Sequence, residues 1–251
     1  MRKFRPGMKE VFDRDGFILI EGLLNQQDVN EIEKNVERFI GAVVPKLSKA
    51  HAMYEDYAKP ETLKQTGDMN QRDPYFADLL SNPKIVGLAQ ALLQDEVIPK
   101  NVQFFSKPPG VGKATPPHQD GYYFCLEPNE ALTVWIALDD IDEENGALHY
   151  VKGSHKKGVL PHGASHVLGF SQGLIEGGVT EIGQEVTCRV KRGDCLVHHS
   201  LTIHSAGANP SKRPRRAIGM VYFANRAKVD PEAMRRYQES LEAQRKRIGT
   251  M

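Results

Sequence analysis

The sequence predicts an α+β fold in which helices come first and an antiparallel β-sandwich or barrel follows. Two observations carry this. Val29, Ile32, Val36, Ile40 and Val43 recur at the spacing of one helix face. From about residue 97 the chain breaks into short segments rich in β-branched and aromatic residues, separated by turn pairs such as Asn145-Gly146 and Gly193-Asp194. Helices followed by a run of strands is the pattern of a domain whose helices cover an antiparallel sheet.

Taken in order, "VFDRDGFILIEGLL" reads as a short helix, a turn at Asp15-Gly16 and a strand from Phe17 to Ile20. Asn25 can cap the long helix that follows, with Asp28 three residues later. Residues 50 to 75 are polar and aperiodic, which predicts a surface excursion able to lie over a site. Asn82-Pro83 is a cap with proline at the first helical position, opening "KIVGLAQALLQ". The strands are "NVQFFSK", "LTVWIALDDI", "LHYVKGS", "EVTCRV", "DCLVHHS" and "RAIGMVYFA", and "DPEAMRRYQESLEAQRKRIGT" is one exposed, charged helix. With no internal repeat, low-complexity tract or linker, the expectation is a single domain over residues 1–251 with a barrel core at roughly 97–226.

Composition narrows the function class. The 33 basic and 32 acidic residues give a net charge of +1, so nothing calls for nucleic acid or an anionic membrane as partner. Cys125, Cys188 and Cys195 are an odd count without a CxxC, which speaks against a disulfide framework or a structural zinc site. The start "MRKFRPGMKEVFDRDG" has no apolar signal region, and no apolar run reaches ~18 residues. A cytoplasmic protein acting on a small molecule is the expectation, with the oligomeric state left open.

The chemistry concentrates in "PPHQDGYYF", residues 116 to 124. On an extended strand His118 and Asp120, two apart, point to one face. A third donor, His204, follows a strand and precedes the turn-forming "SAGANPS". Two histidines and one carboxylate on one side of an ion form the facial arrangement of non-haem Fe(II) oxygenases. Three protein ligands leave three octahedral positions for a bidentate co-substrate and O2, and one carboxylate partly neutralises Fe(II) without saturating it. A zinc hydrolase more often uses three or four ligands with fewer openings. Eleven residues past His204, Arg215 opens the apolar strand "RRAIGMVYF". An arginine entering a barrel is costly unless it meets an anion, and its planar fork suits a carboxylate.

These segments resemble the phytanoyl-CoA dioxygenase family of Fe(II)- and 2-oxoglutarate-dependent oxygenases. The likeness runs through "DGFILIEGLL", "KPPG…PHQDGYY", "WIALDDIDEENGALHYVKGSHKKG" and "GDCLVHHSLTIHSAGANPSKRPRRA", in order and at matching spacing. It implies a double-stranded β-helix, a jelly-roll or cupin-like barrel, flanked by N-terminal helices and a C-terminal helix. It implies His118, Asp120 and His204 as the iron ligands and catalytic centre, and Arg215 as partner of the distal carboxylate of 2-oxoglutarate. Gln103 and Trp135 match positions that line the co-substrate pocket, and Thr133, on the strand face of Trp135, can add a hydroxyl there. The reaction implied consumes O2 and 2-oxoglutarate, releases succinate and CO2, and oxidises an unactivated carbon. Where some members place a serine two residues after the distal histidine, this chain has Ala206, so that role is not carried over. Retention of Asp120 implies hydroxylation rather than halogenation, while desaturation, ring formation and epimerisation stay open.

Other residues divide between site and scaffold. Lys107, Lys113, Lys156, Lys157, His162, His166 and Arg213 fall in loops expected to ring the barrel mouth. Read as function they suit a small anion such as an amino acid, another carboxylate or a phosphonate; read as structure they are solvated surface. An acyl-CoA also stays open. His149, His155, His198 and His199 are expected to be structural, although one of the last pair can face the interior. Tyr122 and Tyr123 are expected to pack, and Arg216 to face away from Arg215. Residues 50 to 75 and "KKGVLPHGASHVLGFSQG" are the expected lids. Two other classes remain: a jelly-roll metabolite-binding protein without turnover, and a hydrolytic metalloenzyme using the same triad. An intact triad with Arg215 opposes the first, and the second has no use for Arg215.

Overall fold

The computed structural model describes residues 7–167, 170–175 and 182–248. Gly16, at φ +84°, ends α1 (Met8–Asp15) in the left-handed region that glycine adopts without strain, and releases the chain into β1 (Phe17–Ile20). The helix α2 (Gln26–Ala42) opens on a reciprocal capping box. The Asn25 side chain accepts the Asp28 N–H at 2.9 Å while the Asp28 carboxylate accepts the Asn25 N–H, worth ~1 kcal/mol. Its buried stripe is Val29, Ile32, Val36 and Phe39.

The 50–75 segment is a correction to the expected excursion. It folds as β2 (Ala52–Tyr54), β3 (Leu63–Thr66) and the short α3 (Met69–Arg72). β3 escapes a hydrophobic pattern because Lys64 and Gln65 line the cavity of the site rather than the apolar core. The helices α4 (Pro74–Leu80) and α5 (Pro83–Leu93) follow, each with proline in its first turn behind an Asp73 or Asn82 cap.

The rest of the chain supplies β4 (Val97–Lys107), β5 (Thr115–His118), α6 (Asp120–Phe124), β6 (Leu126–Glu127), β7 (Ala131–Ala137) and β8 (Leu148–Val151). After these come β9 (His162–Val167), β10 (Phe170–Leu174), β11 (Glu185–Cys188), β12 (Cys195–His199), β13 (His204–Ala206), β14 (Arg215–Ala224), β15 (Lys228–Val229) and α7 (Pro231–Ile248). A seven-stranded sheet runs β1-β12-β7-β14-β4-β3-β2, and a four-stranded sheet runs β11-β8-β13-β5. The pairings among the described residues are antiparallel, and from β4 to β14 the chain crosses repeatedly between the two sheets, as in a double-stranded β-helix. Of the second expected lid, residues 168–169 and the His166 side chain lie outside the described residues. Among the described residues, no helix is long and apolar enough to cross a membrane.

The two-residue period of the large sheet separates core from site. Val102 and Phe104 of β4, Val134 and Ile136 of β7, Val197 of β12 and Ile218 and Met220 of β14 join Ile32, Phe39, Phe76, Ile85 and Leu88 in one buried cluster beneath the helices. The alternate residues turn into the barrel, where Trp135, Ala137, Tyr150, Leu196 and Ala217 form a second, smaller cluster. Covered on both faces, β7 is buried at every position. The barrel interior is therefore only partly apolar, and the remainder is the site.

Candidate metal centre

His118 ends β5 and His204 begins β13, and the two are direct partners in the antiparallel register. Asp120 reaches them differently from the same-strand geometry expected of it. The chain is extended at Gln119 and turns into α6 at Asp120, so the carboxylate is aimed by a helix start rather than by strand alternation. Its Oδ1 stands 3.6 Å from His118 Nε2 and 3.7 Å from His204 Nε2. One donor atom from each residue lies within 4.8 Å of the others, the only such metal-capable group among the described residues.

The donor set fits a divalent first-row ion. His118 Nδ1 donates to the Pro116 carbonyl at 2.9 Å and His204 Nδ1 to the Thr202 carbonyl at 3.0 Å, which leaves each Nε2 lone pair facing the gap. Burial pushes both imidazoles below their ordinary pKa, His204 well below, so they stand neutral and ready to ligate. Burial opposes charge on Asp120 as well, but the carboxyl is held well below the usual range, with the hydrogen bond from His198 among the causes. Asp120 Oδ2 accepts hydrogen bonds from Thr133 Oγ1 at 2.9 Å and His198 Nε2 at 3.1 Å.

A cavity opens beside the triad, lined by Lys64, Gln65, Phe105, Lys107, Thr115, Trp135 and Arg215 among others. Arg215 is buried, its Nε donates to the Gly146 carbonyl at 3.1 Å, and its guanidinium carbon lies 5.0 Å from the Trp135 ring centroid. Thr133 also lines the cavity, but its hydroxyl is committed to Asp120. Gln103 does not line it; its amide oxygen instead accepts a hydrogen bond at 3.1 Å from Gln65, which does.

A model of the family described as phytanoyl-CoA dioxygenase matches residues 12–217, most of the chain. The chain belongs to the phytanoyl-CoA dioxygenase family. It is 26% identical to the peroxisomal phytanoyl-CoA dioxygenase of Bos taurus over 228 residues, covering 86% of this chain and 67% of that protein. The α-ketoglutarate-dependent epimerase SnoN, solved with Fe3+, α-ketoglutarate and nogalamycin RO, superposes with a TM-score of 0.71 at 25% identity, covering 89% of this chain and 85% of that one. EctD from S. alaskensis, solved with 2-oxoglutarate and 5-hydroxyectoine, shares the fold with a TM-score of 0.73 at 21% identity over 88% and 76%. This phytanoyl-CoA dioxygenase family member is thus a 2-oxoglutarate-dependent oxygenase with a jelly-roll core.

Within this family member, the expected ring of mouth cations is dispersed. Lys107 is the last residue of β4 and is buried, with its ammonium on the Lys113 carbonyl at 2.5 Å and Thr115 Oγ1 at 3.2 Å. His162 is buried and stacked on Tyr122 at 4.2 Å. Arg213 is paired with Asp142 at 2.7 Å. Lys113, Lys156 and Lys157 remain exposed. Arg216 faces the helices, as expected, on Asp139 and Glu33. His149, His155 and His199 are tied to Thr187, the Asp13 carbonyl and the Leu201 N–H. Sequence reasoning passed over Lys64, placed Lys107 in a loop at the mouth rather than inside the barrel, and favoured a structural role for His198; only the parity of His198 with Leu196 on one strand signalled which of the His198–His199 pair turns inward.

Proposed function

We propose that this enzyme hydroxylates an unactivated carbon of a small anionic metabolite, with 2-oxoglutarate as co-substrate. His118, Asp120 and His204 hold Fe(II), which when bound supplies O2 activation coupled to release of succinate and CO2. Arg215 and Lys107 anchor the distal carboxylate of 2-oxoglutarate, and Trp135 walls that end of the pocket. The observation that carries this reading is the buried pair of cations, Arg215 and Lys107, beside a neutral-imidazole and carboxylate triad. Neither cation has a carboxylate partner within 4 Å among the described residues, so the pair is arranged for an anion from outside. A hydrolytic site has no use for such a pair.

The anionic character of the substrate is read from the exposed loop lysines Lys113, Lys156 and Lys157 rather than from Lys64, which already has a carboxylate partner. Lys64 is buried on the cavity, 3.4 Å from Glu55, and burial lowers its pKa. A cytoplasmic setting suits Cys125, Cys188 and Cys195, all buried and free. The test is an anaerobic titration of apoprotein with Fe(II) and then 2-oxoglutarate, followed by the visible charge-transfer band of the chelate. Appearance of the band supports the reading, and succinate release can then be screened against small carboxylates, amino acids and phosphonates. Iron binding without a band moves the non-catalytic binder or the hydrolase ahead.

A further inference from the structure

We propose that His198 is a positioning residue that restricts Asp120 to one coordinating oxygen, keeping a place open at the metal for O2 beside the co-substrate. This rests on the reading of the triad as a metal site and adds to it. The two oxygens of Asp120 have different surroundings. Oδ1 faces both histidine Nε2 atoms, whereas Oδ2 is held by Thr133 and His198. Those two residues are register partners on β7 and β12, so one cross-strand pair grips one oxygen.

The direction of each hydrogen bond to Oδ2 is set by chemistry. A carboxylate only accepts, so His198 Nε2 carries the proton. On the other side of the ring, His198 Nδ1 is hydrogen-bonded with the Tyr150 hydroxyl at 2.9 Å. Tyr150 is itself fixed, fully buried and stacked on Phe17 at 4.5 Å with the rings 13° apart. Held at both ring nitrogens, His198 is fixed in the orientation that presents its Nε2 proton to Oδ2. A carboxylate free to turn could chelate through both oxygens and take a fourth octahedral position. Two would remain, enough for a bidentate co-substrate and none for O2.

The test compares wild type, His198→Gln, which retains an N–H donor, and His198→Leu, which has none. Each is loaded anaerobically with Co(II), whose visible spectrum reports coordination, and separately with Fe(II) and 2-oxoglutarate. We expect all three to bind Co(II), with an altered Co(II) spectrum in His198→Leu only. We expect 2-oxoglutarate to bind the Fe(II) form of all three, and the rate at which O2 bleaches the chelate's charge-transfer band to fall about 10-fold or more in His198→Leu and to be largely restored in His198→Gln. A wild-type Co(II) spectrum and a wild-type bleaching rate in His198→Leu overturn the proposal, as does equal damage in both variants, which would mean packing alone. If His198→Leu does not fold, Tyr150→Phe removes only the hydroxyl that holds the His198 ring, and the same altered spectrum is expected. Wild type that binds no Co(II) overturns the metal site itself, a different failure.

Discussion

Arg215 and Lys107 face each other as register partners across β14 and β4, two buried cations with no acid between them. Like charges directly opposite on a sheet destabilise it, and burial adds a desolvation cost to each. Burial takes Lys107 down to about 6 and Arg215 to about 10. Such a pair is a standing cost in the empty barrel and an asset once an anion enters.

That asymmetry predicts opposite effects of Lys107→Met on stability and on binding. The thermal midpoint of the apoprotein should stay level or rise, because an amine that must give up its proton or be buried charged is removed while the aliphatic stem is largely kept. Affinity for 2-oxoglutarate should fall by about 1.5–3 kcal/mol, the usual worth of a charge-assisted hydrogen bond. Arg215→Ala should lose ~2–4 kcal/mol, since it removes a bidentate partner, and leave Fe(II) affinity intact. Thermal denaturation with and without 2-oxoglutarate reads both. A lower apoprotein midpoint for Lys107→Met would assign that ammonium to the scaffold.

The same lysine sets a pH dependence. Its folded pKa of about 6 lies below the ordinary 10.5, so between those values the unfolded chain binds the extra proton. Stability of the apoprotein from this group therefore rises with pH across that window, and is lowest below it, where the buried ammonium is charged. An anion beside Lys107 restores its proton, so 2-oxoglutarate binding at pH 8 should take up a proton, up to about one per site. Calorimetry in buffers of different ionisation heat measures this, and no uptake in wild type would place the carboxylate elsewhere.

How much of this was legible follows the range of the interactions. His118, Asp120, His204 and Arg215 carry unusual chemistry at recognisable spacing, so they stand out in a linear text. The Thr133–His198 grip on Asp120 depends on the register of β12 against β7, between residues 65 positions apart, which no local pattern encodes. Lys107 precedes Pro108-Pro109 and reads as the start of a loop, yet it is the buried end of a strand, in register with Arg215 and lining the cavity with Phe105. Lys64 and Gln65 were hidden because a strand facing the cavity of the site has no hydrophobic alternation to betray it.

Asp120→Ala should abolish turnover and weaken Fe(II) binding while leaving the fold in place. Asp120 caps no core element; its partners are His118, His204, His198 and Thr133, all within the site. Circular dichroism should match wild type, and anaerobic Fe(II) titration should show the loss. Wild-type succinate formation by this variant would end the assignment of the carboxylate to the metal.

Gly146 ties the turn after β7 to the anion pocket, and its replacement separates backbone strain from packing. It sits at φ +96°, and a Cβ there would lie 2.7 Å from Lys107 Cδ and 2.8 Å from the Gly207 carbonyl oxygen. Its own carbonyl accepts from Arg215 Nε. Gly110 is also left-handed, at φ +74°, but a Cβ there meets nothing within 4 Å. Both Gly110→Ala and Gly146→Ala should cost about 1–3 kcal/mol of stability through the backbone. Only Gly146→Ala should also displace the Lys107 stem and the Arg215 contact, lowering 2-oxoglutarate affinity about 10-fold or more. Equal affinities in the two variants would mean that the turn yields without moving either cation, and that the pocket is held by β4 and β14 alone.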